Sequence, residues 1–190
     1  MLALLSMKSL TGAVPLTLVC HPQSFARAIR AIDVVLAAGE SGSLKLSFAL
    51  QGELTDLRIP ETRLSRRGHK LWQHTCLEVF IMSEEGPGYR EFNFSPSSEW
   101  AAFSFRDYRD GGVLEVELPP GIEVRRSGHR LELDAEIPRD YLPPGRALQL
   151  GLSAVVEDAD GVLSYWALRH PPGKPDFHHT DAFALQRALP

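Results

Sequence analysis

Along most of the chain, apolar residues recur at every second position. Leu44, Leu46, Phe48 and Leu50 alternate with Lys45, Ser47, Ala49 and Gln51, and Leu131, Leu133, Ala135 and Ile137 alternate with Glu132, Asp134 and Glu136. Successive strand residues point to opposite faces, so a period of two predicts half-buried strands. Leu148, Leu150, Leu152, Ala154 and Val156 continue the pattern, and 14–19, 29–36, 90–94, 100–105 and 183–189 are shorter strand candidates. Turn-forming clusters separate them: Gly39–Gly42, Glu85–Gly88, Asp110–Gly112, Ser127-Gly128 and Asp158–Gly161. Ser127-Gly128 reads as a tight hairpin. The prolines and glycines, 14 and 15 in number, leave room for at most one short helix, near residues 22–30. About nine or ten short strands with regular punctuation predict an all-β fold, an antiparallel jelly-roll-like β-sandwich.

At 190 residues, with 44% apolar and 23% charged residues, the chain has the composition of one globular domain. Residues 1–12 read as an N-terminal tail, with Met7 an alternative start, and 13–190 as a single sandwich domain. The net charge of −4 and the lack of a basic stripe argue against a nucleic-acid partner; the basic cluster between Arg63 and Lys70 reads as a solvated loop. No run approaches the ~20 apolar residues of a helical membrane span. The expectation is a cytoplasmic protein without a membrane partner. Cys20 and Cys76 allow at most one disulfide.

Three stretches depart from a plain core-and-solvent pattern. In Leu71-Trp72-Gln73-His74-Thr75-Cys76-Leu77-Glu78-Val79-Phe80-Ile81, read as one strand, Trp72, His74, Cys76, Glu78, Phe80 and Met82 share a face. A core needs no Glu and a solvent face needs no Trp, whereas a ligand surface uses both. In Tyr89–Trp100, Glu91 and Asn93 alternate with Phe92 and Phe94, and they suit a ligand rich in hydroxyls. Ser164–His170 contributes Trp166 and Arg169, and Arg109 stands in a turn where it can pair with a carboxylate. The plainer alternative buries all three tryptophans in the core.

Other chemistry finds weaker support. There is no phosphate-binding glycine loop, nucleophile elbow or Cys-x-x-Cys pair. A hydrolase would need two of the separated acids Glu78, Glu91 and Glu157 at about 5–9.5 Å. His170, Asp176 and His178 are weak metal candidates, because Pro171, Pro172 and Pro175 place them in an irregular loop.

Leu-Trp-Gln-His-Thr-Cys-x-Glu-Val-Phe at 71–80, Tyr-x-Glu-Phe-Asn-Phe-Ser-Pro at 89–96 and Trp-Ala-Ala at 100–102 resemble the DOMON-like domains related to family 9 carbohydrate-binding modules, in particular a bacterial subgroup called MurB-like. Tyr108–Gly111, Ser164–Pro171 and Pro175–His178 extend the resemblance to roughly 14–189. It implies a jelly-roll β-sandwich that binds a ligand, either a sugar or haem. In the family 9 modules two Trp rings clamp a sugar while a Glu six residues after the first bonds its hydroxyls. Trp72 and Glu78 keep that spacing, and Trp166 stands as the second ring. The acid expected between them is replaced by His74, Thr75 and Cys76, which departs from the family's site. In haem-binding relatives a Met and a His serve as ligands, which would implicate Met82 with His170 or His178.

The expected function is a non-catalytic binding domain for a small-molecule ligand, a carbohydrate or similar polar ring, using Trp72, His74, Glu78, Glu91, Asn93, Arg109, Trp166 and Arg169 and needing no cofactor. The alternatives are a haem or metal domain, a carboxylate hydrolase, and a structural or protein-interaction sandwich.

Overall fold

The computed structural model describes residues 8–9, 13–145 and 147–188. Its strands, in chain order, are β1 (Lys8–Ser9), β2 (Val14–Thr17), β3 (Val19–Cys20), β4 (Ile29–Ala38), β5 (Leu44–Gly52), β6 (Arg66–Arg67), β7 (Cys76–Ser83), β8 (Tyr89–Phe94), β9 (Glu99–Asp107), β10 (Asp110–Val113), β11 (Gly121–Ser127), β12 (Arg130–Ile137), β13 (Ala147–Glu157), β14 (Leu163–Ala167) and β15 (Leu185–Ala188). They form an all-β sandwich. One sheet runs β11-β12-β5-β4-β2. The other has ten strands, ordered β1-β15-β13-β7-β8-β9-β10, with β14 joining β13 to β3 and β6 beside β9.

The alternating strands do what their pattern predicts. In the smaller sheet Val34, Leu36, Leu46, Phe48, Leu131 and Leu133 face inward. They meet Leu77, Val79, Phe92, Phe94, Leu150 and Leu152 of the larger sheet in one continuous core. Each such side chain contributes on the order of 1.5–3 kcal/mol by leaving water. β13 is buried along nearly its whole length because β7 flanks one edge while β15 and β14 share the other.

Several local expectations are corrected. The strand count is fifteen among the described residues, because two- to four-residue pairings escape a periodicity argument. Pairing is not wholly antiparallel, since β1 runs parallel to β15 and β6 parallel to β9. Lys8–Ser9, within the segment read as a tail, therefore belongs to the sheet; residues 1–7 and 10–12 lie outside the described residues. No helix occupies 22–30: the segment is turns and irregular chain leading into β4 at Ile29. The β11–β12 turn is Gly128-His129, one residue later than read, with Gly128 at φ +52°, the left-handed conformation a tight hairpin requires. Asp110–Gly112 lies in β10, and Tyr108-Arg109 makes the turn before it.

The outer face of the larger sheet is also largely buried. Cross-strand register places Ser153, Glu78, Asn93 and Ala101 in one row, and Gly151, Phe80, Glu91 and Phe103 in the next. Residues 168–184 fold back over these rows. Gly151 admits that cover, because a side chain there would begin 3.2 Å from the Ala182 carbonyl oxygen. Phe80, Tyr89 and Phe183 then form a second small core on this face.

Candidate functional site

A cavity of about 370 Å³ opens on the outer face of the ten-stranded sheet. Its floor comes from β7 and β8, through Glu78, Phe80 and Glu91. Phe103, Phe105 and Arg109 from β9 and the turn after it form one side, and Tyr165, Pro175, Phe177 and His178 the other. Trp72 stands at the rim, 40% exposed, with its ring edge-to-face against Phe103 at 5.8 Å. Large apolar walls around a few polar groups are what a small-molecule site presents.

Each wall has a physical support. Asp176 ties the covering loop to the β9–β10 turn: Tyr108 donates its hydroxyl to Oδ2 at 2.7 Å and Arg109 Nη2 donates to Oδ1 at 2.9 Å. Burial would raise the Asp176 carboxyl, and these bonds more than reverse that, holding it below its ordinary range. The Tyr89 hydroxyl accepts from the Arg109 backbone N–H at 3.0 Å, so its own proton points to His178 Nδ1, 2.8 Å away. His178 is thereby set with Nε2 toward Glu91 Oε2, at 3.8 Å. Burial, with Arg109 nearby, pulls the His178 pKa down to about 4, so the ring is neutral near pH 7.

The two floor carboxyls are the unusual feature. Glu78 is buried, pairs across β7–β8 with Asn93, and among the described residues receives only the Ser153 hydroxyl at 3.1 Å and the Cys76 thiol. Glu91 receives the Asn93 amide at 2.7 Å. Burial, reinforced by the charge of Glu91, pushes Glu78 up to about 8; burial likewise pushes Glu91 to about 7, against the Asn93 bond and Arg109. Asn93 Oδ1 is buried and has no hydrogen-bond partner among the described residues. The Cys76 thiol is raised well above its ordinary pKa by burial and the two acids, which makes it inert.

The structure thus joins Trp72, Glu78, Glu91 and Arg109, with Asn93 immediately behind the floor. It separates the others. Trp166 is not a second ring: it lies opposite Ala154 on the inner face, 7% exposed, in the sandwich core with its Nε1 donating to Ser164. His74 turns away because Leu71–Gln73 form a 3-10 turn and regular pairing starts only at Cys76. Its Nδ1 meets Glu157 Oε2 at 2.6 Å, beside Arg58 Nη1 on Oε1 at 2.9 Å. Arg169 is exposed and does not line the cavity.

The weak metal candidates are engaged separately. His170 Nε2 is 2.8 Å from the Val19 carbonyl oxygen, Asp176 holds Tyr108 and Arg109, and His178 Nδ1 accepts a hydrogen bond from the Tyr89 hydroxyl. No group of three or more His, Cys, Asp or Glu side chains suited to a metal occurs among the described residues. Met82, the other haem candidate, packs against the Phe80–Tyr89–Phe183 cluster. Cys20 and Cys76 are both free thiols.

Phe80, Phe103, Phe105, Tyr165 and Phe177 were not picked out as site residues by sequence reasoning. Tyr165 carried a usable signal. It neighbours Trp166, and strand alternation sends two adjacent aromatics to opposite faces.

No known family's sequence profile matches the chain. A mouse protein, UPF0462 protein C4orf33 homolog, is 26% identical over 121 residues, covering 60% of this chain. The match spans only 61% of that relative's own length. In structure, a candidate carbohydrate-binding protein from Bacteroides uniformis superposes with a TM-score of 0.70 at 13% identity, over 94% of this chain and 86% of its own. A family 9 carbohydrate-binding module from Caldicellulosiruptor kristjanssonii, solved with glucose, gives a TM-score of 0.53 at 8% identity, over 88% of this chain and 80% of that one. The fold is therefore like that of the family 9 modules.

Proposed function

We propose that this protein is a non-catalytic binding domain for a small carbohydrate or similar polar ring, held in the cavity on the outer face of the larger sheet. One observation carries the reading: an aromatic-walled cavity of about 370 Å³ whose floor holds two buried carboxyl groups. The rings supply apolar contact to a ring face, and Glu78 and Glu91 supply directional hydrogen bonds to its polar edge. The likeness in fold to a module solved with glucose supports the class of ligand. Trp72 is the exposed ring and closes the rim; the second aromatic surface is Phe103, Phe105, Tyr165 and Phe177 rather than Trp166.

Paired carboxyls in a pocket also invite an acid–base reading. Glycoside hydrolysis needs one acid held protonated and a second held ionised by a different environment. Here the same burial pushes both in the same direction, to about 8 and about 7, which favours binding over hydrolysis.

Calorimetric titration with glucose and cello-oligosaccharides tests the proposal. Trp72→Ala should weaken binding at least about tenfold, or ~1.4 kcal/mol, without unfolding the domain. Equal affinity in variant and wild type would remove the cavity from the binding site.

A further inference from the structure

Carboxylates in less open surroundings elsewhere among the described residues meet an arginine. Glu157 has Arg58 and His74 against its two oxygens. Half-buried Glu99 has Arg66 at 2.8 Å. Glu78 forms no ion pair among the described residues, and the one that Glu91 approaches is with His178 at 3.8 Å, a ring that is neutral near pH 7. The permanent cation that lines the cavity, Arg109, spends its guanidinium on Asp176 and Tyr108. The groups facing the acids are therefore Cys76 and Ser153 beside Glu78, Asn93 and neutral His178 beside Glu91, and Arg109 already paired.

The hydrogen-bond inventory is lopsided in the same sense. The donors at this floor, Ser153 Oγ and Asn93 Nδ2, are already committed to Glu78 and Glu91. Buried Asn93 Oδ1, on the same sheet face in the row of Glu78 and behind the floor, has no donor among the described residues. Two buried carboxyls that line a cavity without a permanent cation paired to them among the described residues call for a partner that brings both N–H donors and positive charge. Aromatic rings surround the opening, and their faces attract cations. A hydrated metal ion gains nothing from such walls, and no group of three or more His, Cys, Asp or Glu side chains suited to a metal occurs among the described residues.

We propose that the ligand of this cavity carries a primary ammonium group, seated between Glu78 and Glu91, the two carboxyls that line it. In the sugar class that ligand is an amino sugar, and this part of the proposal rests on the carbohydrate reading above. The ammonium supplies three donors on one point charge, matching the acceptors present. Its arrival drives the pair to the ionised state, so binding releases protons to the solvent.

Calorimetric titration of the full chain with glucosamine, glucose, N-acetylglucosamine and cyclohexylamine tests it, with melting temperatures recorded for every variant. Glucosamine should bind at least about tenfold more tightly than glucose and N-acetylglucosamine. Its affinity should rise roughly fivefold or more from about pH 6 to about pH 7, as protons leave the carboxyl pair. Glu78→Gln and Glu91→Gln should each bring the glucosamine preference over glucose to within about twofold; Glu91→Gln serves if Glu78→Gln misfolds. Glucose binding as well as glucosamine would overturn the ammonium proposal and leave the sugar reading standing. Cyclohexylamine binding while every sugar fails would support the ammonium and overturn the sugar reading. Silence toward all the probes would overturn both.

Discussion

Glu157 and Glu78 lie on the same outer face of the same sheet, on neighbouring strands, and both are buried. Their surroundings differ in one respect. Glu157 is closed by Arg58 and His74, and the Thr75 hydroxyl locks the group by donating to the Arg58 carbonyl at 3.0 Å and accepting the Glu157 N–H at 3.1 Å. All of its charge is answered within the chain, so it serves the fold. Glu78 and its neighbour Glu91 have no such answer, and the folded chain carries the cost of ionising them. A buried carboxyl left uncompensated is costly. Under the proposal above, a ligand bound in the cavity supplies the compensation that these two acids lack among the described residues.

The largest expected consequence concerns Glu78. Its raised pKa means that ionisation costs more in the folded than in the unfolded chain, so stability falls as pH climbs from the ordinary 4.5 to about 8. Glu78→Gln should therefore stabilise the unliganded protein by on the order of 3 kcal/mol at about pH 8, with the gap vanishing below about pH 4.5. His178 acts in the opposite sense between about 4 and 6.5, so the difference between variant and wild type in urea melts is the measurement to make. An unchanged or lower stability at high pH would erase the contrast between the two acids.

The counterpart is Arg58→Met, which leaves Glu157 with His74 alone. It should destabilise the fold by about 2 kcal/mol near pH 7, less than a fully buried pair would cost because Arg58 is half exposed. Ligand affinity should not change, since Arg58 does not line the cavity. Tyr89→Phe is smaller: it deletes the bridge from the Arg109 N–H to His178 and should cost about 1 kcal/mol. It also frees His178 Nδ1, so the imidazole tautomer read by nitrogen NMR should change. Smallest in stability is Trp72→Ala, within about 0.5 kcal/mol because the ring is exposed at the rim, although its effect on ligand affinity is the tenfold loss given above.

Much of the sandwich was legible from alternation. Leu131–Ile137, Leu148–Val156 and Leu44–Leu50 announce their inward faces, and burial of one face dictates which residues go in. Phe92 and Phe94 against Glu91 and Asn93 were assigned to opposite faces for the same reason, as the structure has them. Trp72 was reached for an incomplete reason. It lines the cavity, but from a 3-10 turn that follows Lys70 in the left-handed region, not from the strand itself. His74 was lost to that same turn, because parity counted through a break in pairing assigns the wrong side.

By itself the sequence determined the strands, the class of fold and the presence of polar groups on a strand face that a core would not keep, since these follow from a local period of two. Tertiary structure alone decided which tryptophan lines the cavity. The register that sets Trp166 opposite Ala154 buries it, while the fold-back of residues 168–184 turns Phe177 and His178 into a wall. It also decided which acids are neutralised. Arg58 lies 99 residues from Glu157, and Glu91 reaches Glu78 only through the pairing of β7 with β8. Charge compensation is a matter of a few ångströms in space, and no spacing along the chain encodes it.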